Sequence, residues 1–453
     1  MSAQNYYKLN INASGLSFRD IQFFNTLKEY VDSWKQIHRY QCLFEKIGFE
    51  VLGPILYGYS VWLHEQVEIT GADTLIFLSR EGKILKRAYE AIFDRSNAET
   101  EYINVSRLSL SKATILETVF SWKEFQDKYA TLLRGLTKLE ELMDLLDIEA
   151  SDEKYKSFGL DKRLSLEEIY DKERIFGLIK NCGVDSLKKQ HHLATEYLKS
   201  KGIGKGKTII SDIGWSGTMQ ILLEDLFPNE RFNGCYIAVG DIYRSKRYQE
   251  LDRKGFWFDS DDHKRWQMIR FTESAIESLF LNNEGTTTGY KKREGQFAGE
   301  AEDSTDVEPI KRVEKKDFEA IEIAHDAAIQ FINHIGSKLN ISMSQVVNKD
   351  VWFIPYMNFA LCPNRETLDF YHNMSFIDAS KEYGFLPEHN LIYYLFHPKK
   401  MLAELNLNNG KVIWLYGLLR LPLPYFKILC FMTGKLRMKS KYEKRYLKGN
   451  KVR

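Results

Sequence analysis

Three short segments of the chain end an apolar run on residues suited to gripping an anion. They are "FLSREGK" (77–83), "NVSRLS" (104–109) and "SDIGWSGT" (211–218). Each supplies a hydroxyl or an acid. The first two add an arginine, whose planar guanidinium can pair with phosphate or carboxylate at two points. The candidate phosphate-binding residues are Ser79, Arg80, Gly82, Ser106, Arg107, Gly214, Ser216, Gly217 and Thr218. In the third segment the glycines let a ligand approach the main chain closely. Ser216 to Thr218 open a helix, where free N–H groups and the helix dipole favour an anion. Asp212, at the end of its apolar run, is placed to hold a magnesium ion that bridges to a phosphate. Plainer roles compete: a helix N-cap for Ser216, a turn for Asp212, surface ion pairs for the arginines. Three such segments on successive strands weigh toward a shared site.

The elements that must carry these residues are legible. "TLIFLS" (74–79), "EYINVS" (101–106), "KTIISDI" (207–213) and "NGCYIAVG" (233–240) are short runs that predict strands. A helix is predicted over 82–93, with Ile84, Leu85, Ala88 and Ile92 on one face. Another follows Thr218, with Met219, Leu222, Leu223, Leu226 and Phe227 in one stripe. Apolar strands alternating with amphipathic helices predict a parallel, Rossmann-like α/β sheet covered on both faces. In such a sheet ligands bind beyond the carboxyl ends of the strands. The loops after Leu78, Val105 and Ser211 are therefore expected to gather into one electropositive hollow, capped by the helix that begins near Ser216. The predicted plan is an N-terminal helical segment (1–70), the α/β domain (71–295) with a helical insertion at about 115–200, a mainly helical C-terminal domain (310–434) and a tail (435–453). The acidic stretch "GQFAGEAEDSTDVEP" (295–309) marks the expected boundary.

Composition narrows the class. Hydrophobic residues make up 44% of 453, enough for a sizeable core and too many for a disordered chain. The five cysteines show no paired spacing, so neither a zinc site nor a disulfide framework is indicated. With a polar N-terminus this points to the cytoplasm. The net charge of +2 conceals a divided chain: residues 435–453 carry +8 and the body −6. A basic tail next to the aromatic, apolar run 411–434 suits an anionic membrane surface, and that run is too interrupted to span a bilayer. DNA is not expected as a partner.

The motifs "LIFLSREGKIL" (75–85), "YINVSRLSLSKA" (102–113), "IISDIGWSGTMQ" (209–220) and "ESAIESLFLNNEGTTTGY" (273–290) resemble predicted hydrolases of the haloacid-dehalogenase (HAD) superfamily found with bacterial surface-polysaccharide genes. The resemblance implies a HAD-like sheet, phosphoryl chemistry with Mg²⁺, Ser79 as the phosphoryl-binding serine, Asp212 as the metal-holding acid and Lys188 or Lys189 as the neutralising lysine. It also implies Glu277 as a pocket residue, grouped here with Trp215. The superfamily's nucleophile, the first aspartate of Asp-x-Asp on a strand before the serine strand, has no match: the aspartates before Ser79 are Asp20, Asp32 and Asp73.

The expected ligand is a phosphorylated or nucleotide-linked sugar, handled at the inner membrane face beside membrane glycosyltransferases. Two other classes stay open. One is a non-catalytic scaffold with a degenerate site. The other is a glycosyl- or phosphoribosyl-type transferase, since "IISDIGWSGT" also resembles a phosphoribosyltransferase phosphate loop. His191 and His192 are adjacent on a helix, so their side chains diverge by roughly 100° and do not share a metal.

Overall fold

The computed structural model describes residues 5–9, 15–94, 97–129, 132–133, 136–240, 246–259, 273–293, 296–301, 315–372, 375–378, 381–384, 391–397 and 399–400. The run 411–434, the basic tail and most of the acidic stretch 295–309 lie outside these residues.

The chain opens with α1 (Phe18–Ile37), α2 (Leu43–Ile47), a π-helical turn (Gly48–Leu52) and α3 (Gly53–Thr70). Helix α1 begins on a capping box in which Ser17 and Asp20 bond each other's backbone N–H. Strand β1 (Thr74–Leu78) leads through α4 (Gly82–Ile92) to β2 (Glu99–Ile103). Six helices then intervene: α5 (Arg107–Thr118), α6 (Trp122–Tyr129), α7 (Leu139–Leu145), α8 (Asp152–Ser157), α9 (Glu173–Cys182) and α10 (Val184–Ser200). The chain returns as β3 (Thr208–Asp212), α11 (Thr218–Leu226), β4 (Asn233–Tyr236), α12 (Lys246–Gln249) and β5 (Arg253–Gly255). Helix α13 (Glu273–Ser278) and the hairpin β6 (Thr287–Arg293) and β7 (Gln296–Ala301) follow. Then come α14 (Lys315–His334), α15 (Ile341–Val346) and α16 (Asp350–Leu361).

The five strands β1 to β5 form one parallel sheet in the order β2-β1-β3-β4-β5. Both faces are covered, which is why the central strands read as unbroken apolar runs. Leu75, Phe77 and Ile209 point into one core with α1, α3, α4, α14 and α16. Ile76, Leu78, Ile103 and Ile210 point into the other, with α5 to α11. The link from β1 to β2 runs over the first face through α4, and the links from β2 to β3 and β3 to β4 run over the second. The strand order therefore reverses between β1 and β3, and their carboxyl ends open the crevice where such sheets place ligands.

Helices α5 to α10, between β2 and β3, cover the second face. The N-terminal helices and α14–α16 share the first core with the sheet. That docking is close: a Cβ on Gly48, in the π-helical turn, would lie 2.0 Å from the Ala324 carbonyl oxygen of α14. Strand β5 and the β6–β7 hairpin were not expected. Both are short and rich in polar residues, and β5 pairs at the sheet edge with β4. Among the described residues no helix is long and apolar enough to cross a membrane.

Candidate functional site

Ser79 stands one residue beyond β1. Its N–H donates to the Ile103 carbonyl (3.0 Å). Its hydroxyl donates to the Val105 carbonyl (2.7 Å) and accepts the Val105 N–H (2.9 Å). Ser79 thus stitches the β1 loop to the β2 loop. Ser106 is the N-cap of α5: it accepts the Ser109 N–H (3.0 Å) in a capping box and donates to the Thr287 carbonyl (2.5 Å). Both hydroxyls expected to hold an anion give their protons to carbonyl oxygens, so they build the frame of the site. Gly82 also has a packing role. A Cβ there would lie 2.8 Å from the Phe77 carbonyl carbon, so glycine lets α4 start hard against β1.

At the switch point the structure assembles charge. Asp212 ends β3, half-buried, and its Oδ1 accepts the Ile213 N–H at 2.8 Å. Burial pushes its carboxyl well above the usual carboxylate range. The negative charge of Glu81 pushes the same way, while the Ile213 N–H and the Arg107 guanidinium oppose both. Glu81 comes from the β1 loop, where its Oε2 accepts the Arg80 N–H at 3.0 Å. Arg107 is the first residue of α5, exposed to solvent. Strand pairing and the Ser79–Val105 bonds set the loops after β1, β2 and β3 side by side, where Glu81 and Arg107 act on Asp212 through their charges. The expected hollow was read as electropositive, and the charges that act on Asp212 there are the carboxylate of Glu81 and the guanidinium of Arg107. Sequence reasoning missed Glu81. The available signal was a second acid in "SREGK", two residues after the strand-end serine.

The β3 loop is held from several sides. Gly214 adopts φ +135°, and a Cβ on it would sit 2.4 Å from the Ala238 carbonyl oxygen, so a side chain is excluded twice over. Trp215 is buried, its indole N–H donating to Glu277 Oε1 at 2.6 Å, which joins the two residues expected to share a pocket. The Ser216 and Thr218 hydroxyls bond each other at 2.9 Å, and Thr218 also reaches the Tyr248 hydroxyl at 3.3 Å. Arg253 of β5 donates to the Ser216 carbonyl at 2.6 Å. Gly217 is the N-cap of α11 at φ +80°, and no side chain caps the helix there. Its first N–H groups open toward the loop. Beneath, the buried Tyr59 hydroxyl bonds Ser211 Oγ (2.9 Å) and the Cys235 carbonyl (2.8 Å), tying α3 to the two strands.

Lys188 and Lys189 are exposed on α10, whereas the charges acting on Asp212 are Glu81 and Arg107. His191 turns to the Ala113 carbonyl (2.8 Å) and His192 toward Phe297, so the two rings point apart. Asp259, in "FWFDSDD", is exposed and caps a turn by accepting the Gly255 N–H (2.7 Å).

Among the described residues no group of three or more His, Cys, Asp and Glu side chains gathers as a metal cage. A pair of carboxylates is nevertheless the protein share of a Mg²⁺ site when a phosphate and waters complete the shell. Fold and site together define a five-stranded parallel α/β protein with an acid pair at its switch point. No family model matches the chain, and no curated protein matches it.

Proposed function

We propose that this chain is a HAD-like, Mg²⁺-assisted phosphate-handling protein that binds a phosphorylated or nucleotide-linked sugar in bacterial surface-polysaccharide assembly. The observation that carries the reading is the convergence of Glu81, Asp212 and Arg107 at the carboxyl ends of β1, β2 and β3. Arg107, exposed at the start of α5, supplies a guanidinium for the phosphoryl oxygens. The α11 N-terminus supplies main-chain donors. Glu81 and Asp212 are the acids that would hold Mg²⁺, which when bound supplies charge neutralisation and polarisation at a phosphoryl oxygen.

The strand order also suggests a different register for the resemblance. β1 precedes β2, whose following loop carries Ser106, so on this register Ser79-Arg80-Glu81 would take the place of the superfamily's Asp-x-Asp and Ser106 that of its serine. On that register a hydroxyl replaces the nucleophilic carboxylate, and the hydroxyl of Ser79 is already bonded to both backbone groups of Val105. That bonding favours the second reading, a non-catalytic module that keeps ligand binding and scaffolds membrane glycosyltransferases.

Phosphate release from sugar phosphates with Mg²⁺ tests the enzyme reading. Turnover that falls at least ~100-fold in Asp212→Asn supports it. Ligand-dependent thermal stabilisation with no release transfers support to the scaffold. Consumption of a nucleotide-sugar donor only when an acceptor is present would favour the transferase instead.

The placement at the inner membrane face rests on the aromatic run and basic tail. Removing residues 435–453 is expected to reduce sedimentation with anionic liposomes, and the loss should mirror that produced by raising salt. Unchanged sedimentation would remove the tail from the account.

A further inference from the structure

The motif at 273–290 has one property that its residue types do not announce: its polar side chains meet the ends of β3, β1 and β2 in spatial order. Glu277 accepts the Trp215 indole N–H (2.6 Å) beyond β3. Five residues later Asn282, buried, donates Nδ2 to the Arg80 carbonyl (2.7 Å) beyond β1, while its Oδ1 accepts the Glu284 N–H (2.8 Å). Glu284 accepts the Tyr102 hydroxyl of β2 (2.5 Å) and pairs with Lys83 (2.9 Å). Thr287 accepts the Ser106 hydroxyl (2.5 Å) where β2 passes into α5. Neighbouring strands lie about 4.8 Å apart, so the eleven residues 277–287 cross three of them easily.

We propose that residues 277–287 form a strap across the crevice, with Glu277 and Asn282 as positioning residues for the acid pair. The inference rests on reading Glu81 and Asp212 as the ligand site. Asn282 holds the carbonyl of the residue immediately before Glu81. Glu277 holds the indole three residues after Asp212. Neither acid is gripped by the strap, yet the separation of the two loops that bear them is set by one continuous segment. Bonds made to the supports of a metal-holding group, rather than to the metal, commonly govern affinity 10–100-fold.

The test uses the full chain with Asn282→Ala, Asn282→Asp, Glu277→Ala and Glu277→Gln. Asn282→Asp keeps the acceptor for Glu284 and loses the donor to Arg80. Glu277→Gln keeps the acceptor for Trp215. Amide hydrogen exchange over 79–83 and 213–218 is read beside the dissociation constant of Mg²⁺ in the presence of inorganic phosphate. Faster exchange in 79–83 for the Asn282 variants, faster exchange in 213–218 for Glu277→Ala, and Mg²⁺ binding weakened about tenfold or more, with Glu277→Gln restoring both readouts, are expected. Should Asn282→Ala fail to fold, Asn282→Asp decides its arm. Exchange in both loops unchanged from wild type overturns the strap, whatever the ligand. Wild-type chain that binds no Mg²⁺ with phosphate overturns the ligand reading instead, and the exchange arms still judge the strap.

Discussion

Asp212 concentrates the physical argument at the scale of a residue. Its carboxyl is desolvated and faces the charge of Glu81, so the folded chain holds a proton there more tightly than the unfolded chain does. The stability tied to that proton is fully present below the ordinary carboxylate pKa near 4 and is lost as pH rises through the raised folded value. Asp212→Asn removes the titration. Its midpoint of thermal unfolding is expected to exceed wild type by a few degrees at pH 7, and the gap should close as pH falls toward 4. A variant less stable than wild type at pH 7 would contradict this reading of the site. The residue scale is also where the sequence was least informative. Glu81 and Asp212 stand far apart along the chain, and only pairing of β1 with β3 brings them together. Nothing in the spacing of Ser79 and Ser106 reveals that the Val105 and Thr287 carbonyls take their protons.

Elements were more legible, for a physical reason. β1, β3 and β4 lie inside the sheet and must be apolar on both faces, so each stands out as a run, and the α4 and α11 stripes match the cores they fill. Strand β5, at the edge, is Arg-Lys-Gly, which carries no such signature. The strap was visible only as an odd motif, since its bonds run to residues scattered over the chain. Helix α14 offers a test of how elements dock. His325 lies buried on it, with Nε2 donating to the Leu279 carbonyl at 2.9 Å. Burial, aided by Arg87 and Lys83, lowers its pKa from 6.5 to about 4, against the opposing pull of the Leu279 carbonyl and Asp326. Between those values the unfolded chain binds a proton that the native chain refuses, so stability falls as pH drops through that window, by roughly 3 kcal/mol at most. Chemical denaturation of His325→Gln at pH 7 and pH 4.5 should show that much less loss than wild type. Equal losses would mean that α14 does not seal this histidine from water.

For the whole molecule, the strand order matters more than any single motif. The reversal between β1 and β3 places the crevice, α5 to α10 wall one face, and the helices that precede and follow the sheet in the chain build the other. The HAD-like reading stands or falls on what that crevice binds. The most direct measurement is calorimetric titration of Mg²⁺, with inorganic phosphate present, into wild type, Glu81→Gln, Asp212→Asn and the double variant. If the two carboxylates act as one site, each single change abolishes most of the binding and the double change costs little more. Binding that survives in both single variants, or losses that simply add, would place the cation elsewhere and contradict the account.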